Sequence, residues 1–97
     1  MITPWGLSDD KQIYSEGIVF YETSCHGGFK VNKKQNMKIP EFMRDAGGWY
    51  EEDSEWAKVA VSFPEIFPLR EFKLAEKILQ YDEDIWNQYC KFKLSRN

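Results

Sequence analysis

The sequence predicts an α+β fold, and three observations carry that prediction. Strand and turn signals crowd the first third of the chain. Apolar residues at helical spacing fill the rest. No internal repeat, low-complexity stretch or linker divides the 97 residues, so one domain spanning residues 1–97 is expected. A small antiparallel sheet of about three strands, followed by three to four helices, is the architecture this order implies.

The strands come first. Gly17-Ile18-Val19-Phe20-Tyr21-Glu22 is β-branched and aromatic and is bounded by Gly17 and by Ser24-Cys25. Gly28-Phe29-Lys30-Val31 reads as a second strand after the Gly27-Gly28 turn, and Gln12 to Tyr14 as an earlier one. Asn32 is placed to cap a helical turn over Lys33 to Met37. Pro40 suits the start of a short helix over Glu41 to Asp45, ended by Gly47-Gly48.

A longer helix is predicted from Glu51 to Phe63, with Trp56, Val59, Ala60 and Phe63 at helical spacing and Pro64 as its stop. Phe72, Ala75 and Leu79 form an apolar stripe within Leu69 to Gln80. Asp82 caps a last helix with Ile85, Tyr89 and Phe92 on its buried face, and a turn at Tyr81-Asp82 pairs the last two helices as a hairpin.

Composition narrows the function classes. Seven Phe, five Tyr and four Trp give a small core much area per residue. No run approaches the ~18 apolar residues a membrane span needs. Residues 1–10 lack a basic start followed by an apolar run, so no signal peptide is expected. Cys25 and Cys90 lie far apart and suit a reducing compartment, and the expected location is cytoplasmic. The net charge of −3 is small, but it is unevenly spread. His26 to Pro40 holds Lys30, Lys33, Lys34 and Lys38 and no acid; Glu41 to Glu55 holds six acids and only Arg44 as a base. A split of this kind orients a partner electrostatically.

Cys25-His26 has the residue types of an activated thiol, yet neighbours on an extended strand point to opposite faces. With one histidine and two cysteines at no zinc-motif spacing, no metal, cofactor or catalytic residue is expected. Gly27-Gly28 and Gly47-Gly48 form no phosphate loop. A sequence pI near 5.1 speaks against direct nucleic-acid binding, and Lys33, Lys34 and Lys38 read as a solvated face.

The acidic residues are the candidate partner-binding set: Glu41, Asp45, Glu51, Glu52, Asp53 and Glu55, with Asp82, Glu83 and Asp84 as a second cluster. This choice rests on charge clustering. A purely structural reading competes with it. Acids at a helix start complement the helix dipole, while Trp49 and Trp56 pack in the core.

Thr3-Pro4-Trp5-Gly6, Gly17-Ile18-Val19, His26-Gly27-Gly28, Gly47-Gly48-Trp49-Tyr50-Glu51-Glu52-Asp53, Glu55-Trp56-Ala57 and Phe63-Pro64 stand in that order. Together they resemble a domain of unknown function carried by plasmids, phages and integrated elements. At this length the chain is also similar to small phage-borne anti-CRISPR proteins of the type I-F (Csy complex) inhibitor kind. That resemblance implies a non-enzymatic monomer acting in the host bacterial cell. Its partner would be the basic DNA-binding surface of a multi-subunit surveillance complex of Cas proteins plus crRNA, blocked by DNA mimicry. The alternative is a protein-interaction module of a mobile element, antirestriction or regulatory, without mimicry. The resemblance assigns no binding residue.

Overall fold

The computed structural model describes residues 1–95. Among these residues, two antiparallel sheets and four α-helices make an α+β fold. The smaller sheet is a hairpin of β1 (Ile2–Thr3) and β2 (Gly6–Leu7). The larger holds β3 (Asp10–Ser15), β4 (Ile18–Glu22), β5 (Gly27–Val31) and β6 (Trp49–Glu51) in sequence order. The helices are α1 (Lys33–Asn36), α2 (Trp56–Ser62), α3 (Leu69–Leu79) and α4 (Glu83–Ser95). Glu41–Met43 and Pro64–Ile66 form single 3₁₀ turns.

The register sorts the sheet's side chains onto two faces. Phe20 pairs with Phe29 and Phe29 with Tyr50, while Ile18 pairs with Val31. These residues face the helices. Ile18, Phe29, Val31 and Tyr50 are buried there and join the core with residues of α2, α3 and α4. Alternation then places Val19, Tyr21, Gly28, Lys30, Trp49 and Glu51 on the other face.

The centre of the fold is α2. Ala57, Val59, Ala60 and Val61 are all buried, because the helix packs on β5 and β6 on one side and on α3 on another. A helix enclosed in this way loses its one-sided pattern, which is why the predicted stripe of Trp56, Val59, Ala60 and Phe63 understates its burial. Each fully buried Val contributes about 1.5–3 kcal/mol. Phe72, Ala75 and Leu79 lie on the α3 face that meets the core. The two last helices pair as expected: Glu76 Oε2 accepts from Tyr89 Oη at 2.7 Å and from Lys93 Nζ at 2.6 Å. The predicted caps also form. Asn32 Oδ1 accepts from Gln35 N at 2.9 Å, and Asp82 Oδ1 from Ile85 N at 3.1 Å.

Several expectations need correction. The expected small antiparallel sheet is present and holds a fourth strand, because Trp49-Tyr50-Glu51 is a strand and not the approach to a helix. The helix predicted from Glu51 starts at Trp56. Gly48 sets the outcome: at φ +77° it turns the chain so that its carbonyl accepts from Val31 N at 2.8 Å, and aromatic residues then favour the pleated edge. Trp49 is therefore not a core residue. It lies half-buried on the outer face, edge-on to Trp5 at 5.5 Å, with Lys30 Nζ 5.0 Å above it. The short helix over Glu41 to Asp45 is one 3₁₀ turn.

Tyr50 anchors β6. Its hydroxyl donates to Asn36 Oδ1 at 2.6 Å and accepts from Asp45 N at 2.9 Å. Tyr50→Phe leaves both partners unsatisfied and should lower unfolding free energy by about 1–3 kcal/mol in urea titrations. Burial, chiefly, raises this phenol from 10.0 to about 12. A raised folded-state pKa on an acid favours the neutral form. Its stabilising effect is thus whole below the unfolded value of 10.0 and is lost as pH climbs towards about 12. The urea midpoint should fall across that window, and less steeply in Tyr50→Phe.

Candidate functional site

The antiparallel register decides where charge accumulates. The strand β6 ends beside the start of β5: Glu51 pairs with Gly28, and Glu52 N donates to Gly27 O at 2.9 Å. In turn β5 begins beside the end of β4, with Glu22 paired to Gly27. Glu22 also pairs with Asp10, the first residue of β3, and Asp9 N donates to Glu22 O at 3.2 Å. One end of the sheet thus gathers Asp9, Asp10, Glu22, Glu51, Glu52 and Asp53, with Glu55 just beyond. Neighbouring strands lie ~4.8 Å apart, so these charges spread across about 14 Å.

The lysines stand at the other end. β5 runs away from the acidic end and leads into Lys33, Lys34 and Lys38, all exposed. Five strand residues set the two groups about 14 Å apart. Lys30 is engaged within the fold, donating to Gly47 O at 2.6 Å.

Of the predicted acids, the structure brings together Glu51, at the end of β6, and Glu52, Asp53 and Glu55, in the turn between β6 and α2. Glu51 Oε1 accepts from Asp53 N at 2.8 Å and so shapes the turn. Glu55 holds the N-cap position without a side-chain cap bond and lies 3.8 Å from Lys58 Nζ. The first turn of α2 contains no acid. The expected dipole role for the whole run therefore fails, since the helix begins after it. Glu52 and Asp53 are exposed, and no hydrogen bond or ion pair engages either carboxylate among the described residues.

The other predicted acids lie elsewhere. Asp45 is structural: Oδ2 accepts from Trp49 N at 3.1 Å, its carbonyl from Asn36 Nδ2 at 2.8 Å. Glu41 is exposed on the 3₁₀ turn that precedes it. Asp82, Glu83 and Asp84 open α4, where Asp82 caps and the other two complement the helix dipole. Asp9, Asp10 and Glu22 were absent from the sequence-based set. Only strand pairing carries them to the acidic turn, and pairing is not visible in a local charge count.

His26 also reaches this end. One ligand atom each from His26, Glu51 and Asp53 lies within 4.8 Å of the other two. Mixed nitrogen and carboxylate donors of this kind suit a divalent cation, although Glu51 is already engaged in the turn. The thiol of Cys25 does not join them. Thr23 Oγ1 accepts from Cys25 N and His26 N at 3.4 and 3.0 Å, forming a turn that leaves Cys25 exposed beside Ser24. No Cys25–His26 side-chain bond is present among the described residues.

Three of the motif blocks meet on the outer sheet face, while Ile18, Ala57 and Phe63 of the others are buried in the core. Thr3 Oγ1 donates to Gly6 O at 2.7 Å and accepts from Trp5 N at 3.2 Å, closing the first hairpin. That hairpin lays Trp5 over Gly28 and against Trp49. Trp5, Gly28 and Trp49, one residue from each of three blocks, therefore form one packed unit behind the acidic turn. Among the described residues no helix is long and apolar enough to cross a membrane.

Fold and site together define a small α+β domain with acids gathered at one end of its larger sheet and Lys33, Lys34 and Lys38 beyond the other. The chain belongs to the DUF7007 family, a domain of unknown function, whose model matches residues 1–97. No curated protein and no solved structure matches it.

Proposed function

We propose that this protein acts by binding rather than by catalysis, as an anti-CRISPR inhibitor of the type I-F (Csy) surveillance complex in the bacterial cytoplasm. It occupies the basic surface that receives target DNA and presents carboxylates in place of phosphates. One observation carries the reading: strand register collects Asp10, Glu22, Glu51, Glu52 and Asp53 at one end of the sheet. Two of these carboxylates, on Glu52 and Asp53, have no partner among the described residues. Exposed like charges repel by a few tenths of a kcal/mol per close pair. A partner rich in Lys and Arg relieves that cost, as it does for phosphate. The similarity of the chain to small phage-borne anti-CRISPR proteins of the type I-F kind supports the choice of partner.

The test is charge reversal. Glu51→Lys combined with Asp53→Lys should weaken capture of the Csy complex at least about tenfold at low salt. The melting temperature should fall by only a few degrees, since Asp53 is exposed and the half-buried Glu51 gives up a single hydrogen bond, the one from Asp53 N. Binding by the unaltered protein should fall steeply with added salt. A folded double variant with full affinity removes the acidic end from the interface.

A second reading is an interaction module of a mobile element, antirestriction or regulatory, without mimicry. The duties of Asp45 and Asp82 inside the fold favour it, because they leave the acids as one compact patch and not a long track. Competition separates the two. Pre-bound target duplex excludes a mimic and leaves the other kind of binder unaffected.

A further inference from the structure

Beside the acidic turn, the core opens to solvent between the sheet and α3. A depression of about 250 Å³ lies there, floored by Phe29 and walled by Tyr14, Phe20, Trp56 and Phe67. The rings are tightly set: Tyr14 is 4.8 Å from Phe29 and 5.2 Å from Phe67, and Phe20 is 5.1 Å from Phe29. Leu74 and two carboxylates, Glu52 and Glu71, complete the lining, and no Lys or Arg takes part in it. Neither carboxylate has a hydrogen bond or ion pair among the described residues. The nearness of Glu71, second to burial, raises the pKa of the Tyr14 phenol, as expected of an uncompensated charge at the pocket.

We propose that this pocket receives the guanidinium of an arginine side chain from the protein partner, an inference that rests on the binding reading above. The chemistry selects against other occupants. An anion meets two carboxylates. A purely apolar side chain fills the aromatic part but leaves those carboxylates desolvated without a partner, which is costly. A quaternary ammonium gains the ring faces but carries no N–H for Glu52 or Glu71. A lysine ammonium has donors but is a compact, strongly hydrated charge. A guanidinium is planar, weakly hydrated and stacks on aromatic rings, while its five N–H groups remain free for carboxylates. The pocket thereby adds a specific anchor to the diffuse attraction of the acidic end, and a buried arginine is a frequent energetic centre of an interface.

The test uses the isolated protein, so its result does not depend on identifying the complex. The blocked peptides Ac-Gly-Arg-Gly-NH₂ and Ac-Gly-Lys-Gly-NH₂, free arginine and tetramethylammonium are titrated while the Trp56 indole N–H signal is followed by NMR. Trp56→Phe identifies that signal by its loss. The arginine peptide should shift it saturably. The lysine peptide and tetramethylammonium should bind several-fold more weakly, and so should free arginine, whose own carboxylate meets the acidic lining. Glu71→Gln, which leaves the aromatic walls intact, should weaken the arginine peptide about threefold to fivefold. Glu51→Lys with Asp53→Lys should retain a saturable arginine shift, since neither residue lines the pocket; this separates loss of the acidic interface from loss of the pocket. Equal binding of lysine and arginine peptides, tighter binding of tetramethylammonium, no saturable shift, or an unchanged affinity in Glu71→Gln each overturns the proposal.

Discussion

Phe29→Ala should lower the unfolding free energy by about 3–5 kcal/mol, the range for emptying a buried Phe site. Phe29 is 3% exposed and meets Tyr14, Phe20 and Phe67 with ring centroids 4.8, 5.1 and 5.7 Å away. It is the point where the sheet, the segment after α2 and the aromatic pocket touch. Those neighbours belong to different elements, so they cannot collapse together into the space left behind. A domain of this size has roughly 5–15 kcal/mol in total, and a drop in melting temperature of at least about 12 °C follows. Urea denaturation followed by circular dichroism measures it, and Phe29→Leu is the control. That change keeps most of the apolar volume and should cost less than about 1.5 kcal/mol. A Phe29→Ala protein as stable as the parent would mean that this ring cluster is not the centre of the core.

Gly28→Ala should be nearly as severe, about 2–4 kcal/mol, although it adds one methyl group. A Cβ at this position would lie 2.3 Å from Trp5 Cη2 and 2.5 Å from the Tyr50 carbonyl oxygen. The indole can swing away, because the hairpin that carries it is short. The carbonyl belongs to the neighbouring strand and moves only if β5 and β6 separate. The Trp5→Ala/Gly28→Ala pair therefore tests the packing directly. The double variant should recover part of the loss caused by Gly28→Ala, and the two changes should be non-additive. Strict additivity in urea titrations would show that Trp5 does not rest on Gly28. The acidic end lies on the same strands, so a loosened β5–β6 pair should also weaken partner binding.

Local signals in the sequence were sufficient for the parts that depend on local physics. Asn32 and Asp82 cap because a short oxygen-bearing side chain before a helix meets its free N–H groups. The strands at Ile18–Glu22 and Gly27–Val31 follow from β-branched and aromatic residues between turn formers. The α3 stripe follows from helical period. The charge asymmetry between residues 26–40 and 41–55 is likewise a plain sequence fact.

Tertiary structure decided the rest, and the reason is long-range pairing. Trp49-Tyr50-Glu51 has a local pattern that helix and strand share. Its fate is set by Gly48, by the edge of β5 and by the buried partners of Tyr50, none of which a short window contains. With that strand in place, the acids of residues 51–55 leave the helix: Glu51 ends the strand and the others enter a turn. Residues 9, 10 and 22, distant in sequence, come beside them. The same register draws Asp45 into the fold and opens an aromatic pocket next to the free carboxylates. Residue types set which charges this protein carries. The hydrogen-bonded register of four strands decides which of them stand together, because only pairing converts separation along the chain into nearness in space.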